Sequence, residues 1–263
     1  MRVNYLLPVF MVLILMLPVV LAENKQVDLS LESSVAGYDV GISTAAVAPD
    51  GGTVLLVGNE GYVHLISAKN AGDRSQDVEL NSGREHDFND VSWHPRSEAA
   101  LIAGDFGTAM RYEKVDHSVT LVNGTGAILG RDMSSVEWRS AGDYAYFGGK
   151  DGSLWRFSEG TGFVNLGNDA DSEITGISCH MNYDLCVVST ISSGLGVIGQ
   201  AHNISWISGT RTDTWLDVEC PSAVIKRCVA FGSGLRMITI FLNTVDHSKS
   251  DVGAMVEFRT LAV

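Results

Sequence analysis

The chain has 263 residues and a formal net charge of −13. Such an acidic surface repels nucleic acids and anionic membranes, and no cluster of basic residues offsets it, so the composition excludes a nucleic-acid-binding protein.

The N-terminus has the pattern of a secretory signal peptide. Arg2 precedes an apolar run from Tyr5 to Leu21, the small residue Ala22 ends it, and charge begins at Glu23. An uncleaved membrane anchor is the alternative, since the run is near the lower limit of about 17–25 residues for a bilayer span. We therefore predict a signal peptide or N-terminal membrane anchor over residues 1–22 and one propeller domain over residues 23–263. The expected location is extracytoplasmic. Contact with a membrane is expected only through the N-terminal segment, if it is uncleaved.

Beyond residue 23 the chain is organised in five repeats. Short runs rich in Val, Ile, Trp and Tyr alternate with Gly, Asn and Asp, which is typical of strands and turns. A shared apolar position, called the anchor below, recurs at Val47, Val91, Val136, Ile177 and Val218. Repeats of about 40–45 residues with four short strands each are the signature of propeller blades. The sequence thus predicts an all-β propeller of five four-stranded blades.

Two strand-like stretches remain outside the repeats. They are "VDLSLES" from Val27 and "AMVEFRTLAV" from Ala254. In the favoured arrangement the N-terminal stretch pairs into the last blade and closes the ring, which leaves no exposed sheet edge. In the alternative, the C-terminal stretch completes the fifth blade by itself, and the N-terminal stretch pairs elsewhere or begins a degenerate extra blade.

The best-preserved repeats resemble a known family. "VAPDGGTVLLVGNEGYVHLIS" and "VEWRSAGDYAYFGGKDGSLWRFS" are similar to the core of WD-repeat propeller blades, although the Gly-His and Trp-Asp pairs of that family are missing. The Gly turn in "GKDGSLWRF" also resembles part of the Asp-box of other propellers. The resemblance to WD-repeat proteins implies a rigid platform that binds other molecules.

The four cysteines occupy equivalent places in the fourth and fifth repeats. Cys179 and Cys220 stand two residues after the anchor, where the second and third repeats have Trp, and Cys186 and Cys228 fall in the following strand. In an oxidising compartment, cross-strand positions favour the disulfides Cys179–Cys186 and Cys220–Cys228 among three connectivities. A zinc site formed by the four cysteines, with His180 as a further candidate ligand, is the alternative.

Acidic residues recur just before or within the first strand of the repeats. They are Asp87, Asp90, Asp132, Glu173 and Asp217. Because these segments gather at one mouth of a propeller channel, the carboxylates form a candidate binding site for a hard cation such as Ca²⁺. The alternative is that each Asp caps a turn and faces water.

The function predicted from these features is that of an exported, non-enzymatic module that binds a protein or a surface glycan. No catalytic motif with a nucleophile or a metal-binding His pair is present. The alternative is a propeller hydrolase that cleaves glycans with Asp87, Asp132 and Glu173, which requires carboxylates about 5–9.5 Å apart across the channel. No cofactor other than Ca²⁺ is predicted.

Overall fold

The computed structural model describes residues 41–68, 74–220, 227–242 and 254–257. These residues form twenty strands. In chain order the strands are β1 (Ile42–Val47), β2 (Thr53–Gly58), β3 (Val63–Ser67), β4 (Val78–Leu80), β5 (Phe88–Trp93), β6 (Ala99–Gly104), β7 (Ala109–Glu113), β8 (Ser118–Leu121), β9 (Met133–Trp138), β10 (Ala145–Gly149), β11 (Leu154–Ser158), β12 (Gly162–Gly167), β13 (Ile174–Cys179), β14 (Cys186–Thr190), β15 (Leu195–Ile198), β16 (Ile204–Trp206), β17 (Trp215–Glu219), β18 (Arg227–Gly232), β19 (Arg236–Leu242) and β20 (Ala254–Glu257). Short 3₁₀ turns span Asn59–Gly61, Arg74–Gln76, Asp105–Gly107 and Thr125–Ala127.

The strands form five antiparallel sheets of four strands each, which confirms the predicted fold class. Sheet 1 contains β1–β4, sheet 2 β5–β8, sheet 3 β9–β12, sheet 4 β13–β16 and sheet 5 β17–β20, each with consecutive strands side by side. The fourth strand of sheet 5 is β20, so the stretch from Ala254 completes this sheet, as in the alternative arrangement. The stretch from Val27 lies outside the described residues. No described helix is long and apolar enough to cross a membrane.

Glycine permits the tight turn between the second and third strands. In sheet 2, Phe106 and Gly107 both have positive φ, at 56° and 73°. A Cβ on Gly107 would lie 2.4 Å from the carbonyl oxygen of Ile128. Position 107 therefore needs glycine for two reasons. Its backbone is left-handed, and it lies close to the backbone of the segment at Ile128.

The hydrophobic core consists of four clusters, each between two consecutive sheets. Leu55 and Val57 of sheet 1 pack on Ile102 and Met110 of sheet 2. Equivalent clusters join sheets 2 and 3, sheets 3 and 4, and sheets 4 and 5. One sheet cannot bury both of its faces alone, so stacking of consecutive sheets supplies the apolar burial that stabilises the fold.

Polar side chains repeat across three of these interfaces. The residue two before the anchor donates a hydrogen bond to a carbonyl in the first strand of the next sheet. Asn89 donates to Met133 at 2.8 Å, Ser134 to Ile174 at 2.6 Å, and Thr175 to Trp215 at 2.8 Å. The corresponding residue of sheet 5 is Leu216, which has no side-chain donor.

The first and last sheets do not share such an interface within the described part of the chain. No described core cluster contains residues of both sheet 1 and sheet 5. Val47 on β1 is 60% exposed, whereas the equivalent Val91 of sheet 2 is 5% exposed. Each of the two terminal sheets therefore has one face that the described residues leave open.

Candidate functional site

Four carboxylates extend from the first strands of sheets 2, 3 and 5. Asp90 and Asp217 precede their anchors by one residue, while Glu137 and Glu219 follow theirs by one residue. Side chains alternate between the faces of a strand, so each of these carboxylates lies on the opposite face from its buried anchor. The first strands line the centre of a propeller, and we call these four residues the inner carboxylates.

Backbone and hydroxyl groups orient Asp90 and Glu137. The Oδ1 and Oδ2 of Asp90 accept hydrogen bonds from the backbone N–H groups of Val91 and Val136, both at 2.8 Å. The Oε2 of Glu137 accepts from the hydroxyl of Ser92 at 2.7 Å, and its Oε1 accepts from the N–H of Cys179 at 3.3 Å. The two side chains thus link sheets 2, 3 and 4.

The inner carboxylates bind protons more tightly than ordinary carboxylates. Burial raises the pKa of Asp90 to about 7, and the charge of Asp217 adds to the effect. Burial likewise raises the pKa of Glu137 to about 8, with further contributions from the charges of Glu219 and Asp90. The mutual influence of these groups places them in one electrostatic cluster.

Asp217 and Glu219 belong to the same cluster but face solvent. Burial is the main cause that raises the pKa of each, and the charge of Asp217 raises that of Glu219 further. Both residues are nevertheless exposed. Because water screens exposed charges, the strongest pKa effects belong to Asp90 and Glu137.

The other predicted carboxylates have different surroundings. The Oδ1 of Asp87 accepts a hydrogen bond from the N–H of Glu60, and that of Asp132 accepts from the N–H of Phe106, both at 3.0 Å. Each Asp therefore caps the Gly turn of the preceding sheet. Glu173 is half-buried, and its backbone carbonyl accepts from the N–H of Ile191 at 3.1 Å.

The structure brings Asp90 and Asp217 of the predicted set together and adds two glutamates that the sequence analysis did not single out. Glu137 and Glu219 stand two residues beyond the positions of Asp90 and Asp217 in their repeats. A period of two along the first strand is the signal that identifies them. With Glu137 and Glu219, the cluster contains four carboxylates instead of two.

The two predicted disulfides are confirmed. Cys179 pairs with Cys186, with Cα atoms 4.0 Å apart, and Cys220 pairs with Cys228, with Cα atoms 4.1 Å apart. All four sulfurs are therefore oxidised and are not free to form the alternative zinc site. Two disulfides point to an oxidising compartment.

A metal site is not evident among the described residues. No group of three or more His, Cys, Asp or Glu side chains within the described ranges has an arrangement that could hold a metal ion. Calcium binding by the channel-mouth carboxylates stays a prediction.

Glu137→Gln is expected to stabilise the protein at alkaline pH. The folded-state pKa of about 8 lies above the value in an unfolded chain, so the native state binds the extra proton between roughly pH 4.5 and 8. Stability from this group is therefore greatest below that window and falls as pH rises through it. At pH 9 we expect the variant to gain about 1–3 kcal/mol in the free energy of unfolding, because no buried charge must form.

Urea unfolding of both proteins at pH 5 and pH 9 measures this effect. Glu85→Gln, at an exposed carboxylate in a loop, is the control and should match the wild type at both pH values. An equal change for Glu137→Gln at pH 5 and pH 9 would contradict the assigned pKa.

The comparisons with known proteins identify the fold alone. No protein-family model matches the chain, and no curated protein matches its sequence. The β-propeller domain of Cps50 (Swd1) from Myceliophteria thermophila superimposes with a TM-score of 0.64 at 11% sequence identity. The match covers 84% of this chain and 71% of that chain. This similarity supports the propeller architecture, while function must be argued from the residues of this chain.

Proposed function

We propose that this chain is an exported, non-enzymatic protein-binding module whose inner carboxylates receive Lys or Arg side chains of a partner protein. The observation that carries the proposal is the cluster of Asp90, Glu137, Asp217 and Glu219. Within the described residues, the charges that raise the pKa values of these groups come from other carboxylates. Ionisation of the cluster is therefore costly until a cation approaches it.

A cationic partner resolves this electrostatic cost. A guanidinium or ammonium group beside Glu137 lowers the pKa of that carboxyl and forms charge-assisted hydrogen bonds with it. A neutral glycan supplies no such charge, so the cluster favours a protein over a glycan. The overall charge of −13 attracts a basic partner from a distance.

Export is supported by two independent features. The N-terminal segment has the order of a signal peptide, and two disulfides are typical of proteins from an oxidising compartment. The stacked sheets provide a rigid support, which reduces the ordering cost that a binding surface pays on association.

The proposal is tested by binding of an Arg-rich ten-residue peptide to residues 23–263, measured by calorimetry at pH 8.5. We expect the double variant Glu137→Gln/Glu219→Gln to weaken binding at least tenfold. The matched control Glu60→Gln/Glu85→Gln changes the net charge equally at two exposed positions and should stay within twofold of the wild type. Equal weakening by both double variants would show that only net charge matters and would overturn the proposed site.

A further inference from the structure

Sheet 1 has an apolar face that no described sheet covers. Val47, Val54 and Ile66 are directly paired across β1, β2 and β3, so their side chains share this face. Val47 is 60% exposed and the other two are half-buried. Their equivalents in sheet 2, the paired residues Val91, Ile102 and Met110, are at most 5% exposed because sheet 1 packs on them.

Sheet 5 has a second open face, which carries charge as well as apolar surface. Asp217 pairs with Phe231, and Glu219 pairs with Val229, so these four side chains share one face. Phe231 is 46% exposed, and both acidic residues are exposed. The equivalent face of sheet 4 is buried against sheet 5, with Val187 and Val197 at 0% and 2% exposure.

The described strands of this chain do not supply another sheet between these faces. Every described strand, β20 included, already belongs to one of the five sheets. The structural match covers 71% of the Cps50 propeller chain, so part of that propeller lies outside the match.

We propose that the gap between the open faces of sheets 1 and 5 is filled by a β-sheet of a partner polypeptide. This inference rests on the proposed function as a protein-binding module. One face of the inserted sheet is apolar and covers Val47. Its other face covers Phe231 and carries at least one Lys or Arg opposite Asp217 and Glu219. Burial of an apolar sheet face provides the association energy, and the basic residue neutralises the two carboxylates.

A second copy of this chain does not fit the gap equally well. Its sheet 1 would have to cover the sheet 5 face. The exposed or half-buried side chains on the open face of sheet 1 include Ala45, Val47, Val54, Leu56, His64, Ile66 and Glu79. This set contains no Lys or Arg to pair with Asp217 and Glu219. Head-to-tail contact between copies would also build a ring or an open filament instead of filling one gap.

Photo-crosslinking of the full chain in the cells that produce it tests the inference. p-Benzoylphenylalanine replaces Val47 or Phe231 on the two open faces, and Val115 or Leu235, each 90% exposed, at two control positions. We expect both gap positions to form an adduct with the same second polypeptide, through a peptide that contains Lys or Arg. Asp217→Asn/Glu219→Gln should lower the adduct yield at least fivefold.

The other outcomes separate the inference from the proposed function. Three outcomes would overturn the inference of an inserted partner sheet. They are crosslinks within the chain, adducts of two copies, and capture from only one of the two gap positions. A second polypeptide captured only from Val115 or Leu235 overturns it too, while it leaves the binding-module function standing. If none of the four positions captures a second polypeptide, both the inference and the proposed function fail.

Discussion

Replacing Trp215 with alanine is expected to lower the free energy of unfolding by about 3–5 kcal/mol. The side chain is fully buried in the cluster between sheets 4 and 5. Its indole N–H donates to the carbonyl of Thr210 at 2.9 Å, and its backbone carbonyl accepts from Thr175. The truncation leaves a large cavity and removes the indole hydrogen bond to the carbonyl of Thr210, and both changes destabilise the folded state.

Two further variants define the cause of the Trp215 effect. Leu216→Ala changes the adjacent residue, which is 54% exposed, and should alter stability by less than about 0.5 kcal/mol. Trp215→Phe keeps most of the apolar volume but loses the hydrogen bond, and should cost about 1–2 kcal/mol. A loss below about 1 kcal/mol for Trp215→Ala in urea unfolding would contradict the close packing of sheets 4 and 5.

Reduction of both disulfides is expected to cost about 4 kcal/mol, or about 2 kcal/mol for each bridge. The bridges close short loops, with sequence separations of 7 and 8, so each constrains the unfolded chain only moderately. Reduction leaves every sulfur in place, and core volume therefore changes little. The measurement compares urea unfolding with and without a phosphine reductant.

The pair variants Cys179→Ala/Cys186→Ala and Cys220→Ala/Cys228→Ala assign the loss to one bridge or the other. Each variant retains one disulfide, so reduction should cost it about half as much as the wild type. Identical unfolding midpoints for the reduced and oxidised wild type would show that the bridges do not stabilise the fold.

The sequence predicts the sheets well because the determining signals are local. An apolar anchor, a Gly turn and alternating strands act within one repeat, so spacing alone identifies five sheets. The disulfide pairing can be predicted from the sequence in the same way, since Cys179 and Cys186 fall on adjacent strands of one hairpin. Each of these features depends on residues fewer than about 45 positions apart.

Contacts between distant repeats are not predictable in the same way. Ring closure depends on the angle between consecutive sheets, which accumulates over the four interfaces between the five sheets and has no single residue as its signature. The inner carboxylates come from repeats two, three and five, so their cluster is visible only after the sheets are stacked. The missing side-chain donor at Leu216 does not identify the open face, because Ala45 lacks a donor at the same position of sheet 1 and sheet 1 still packs on sheet 2.

The separation of sheets 1 and 5 is tested most directly by a cysteine pair at Val47 and Phe231. The four native cysteines are already paired, so each new thiol can be counted in unreduced protein. We expect both thiols of Val47→Cys/Phe231→Cys to stay free and react with a maleimide in the purified protein. Spontaneous formation of a disulfide between them, with no free thiol, would show that the two faces meet and that the ring is closed.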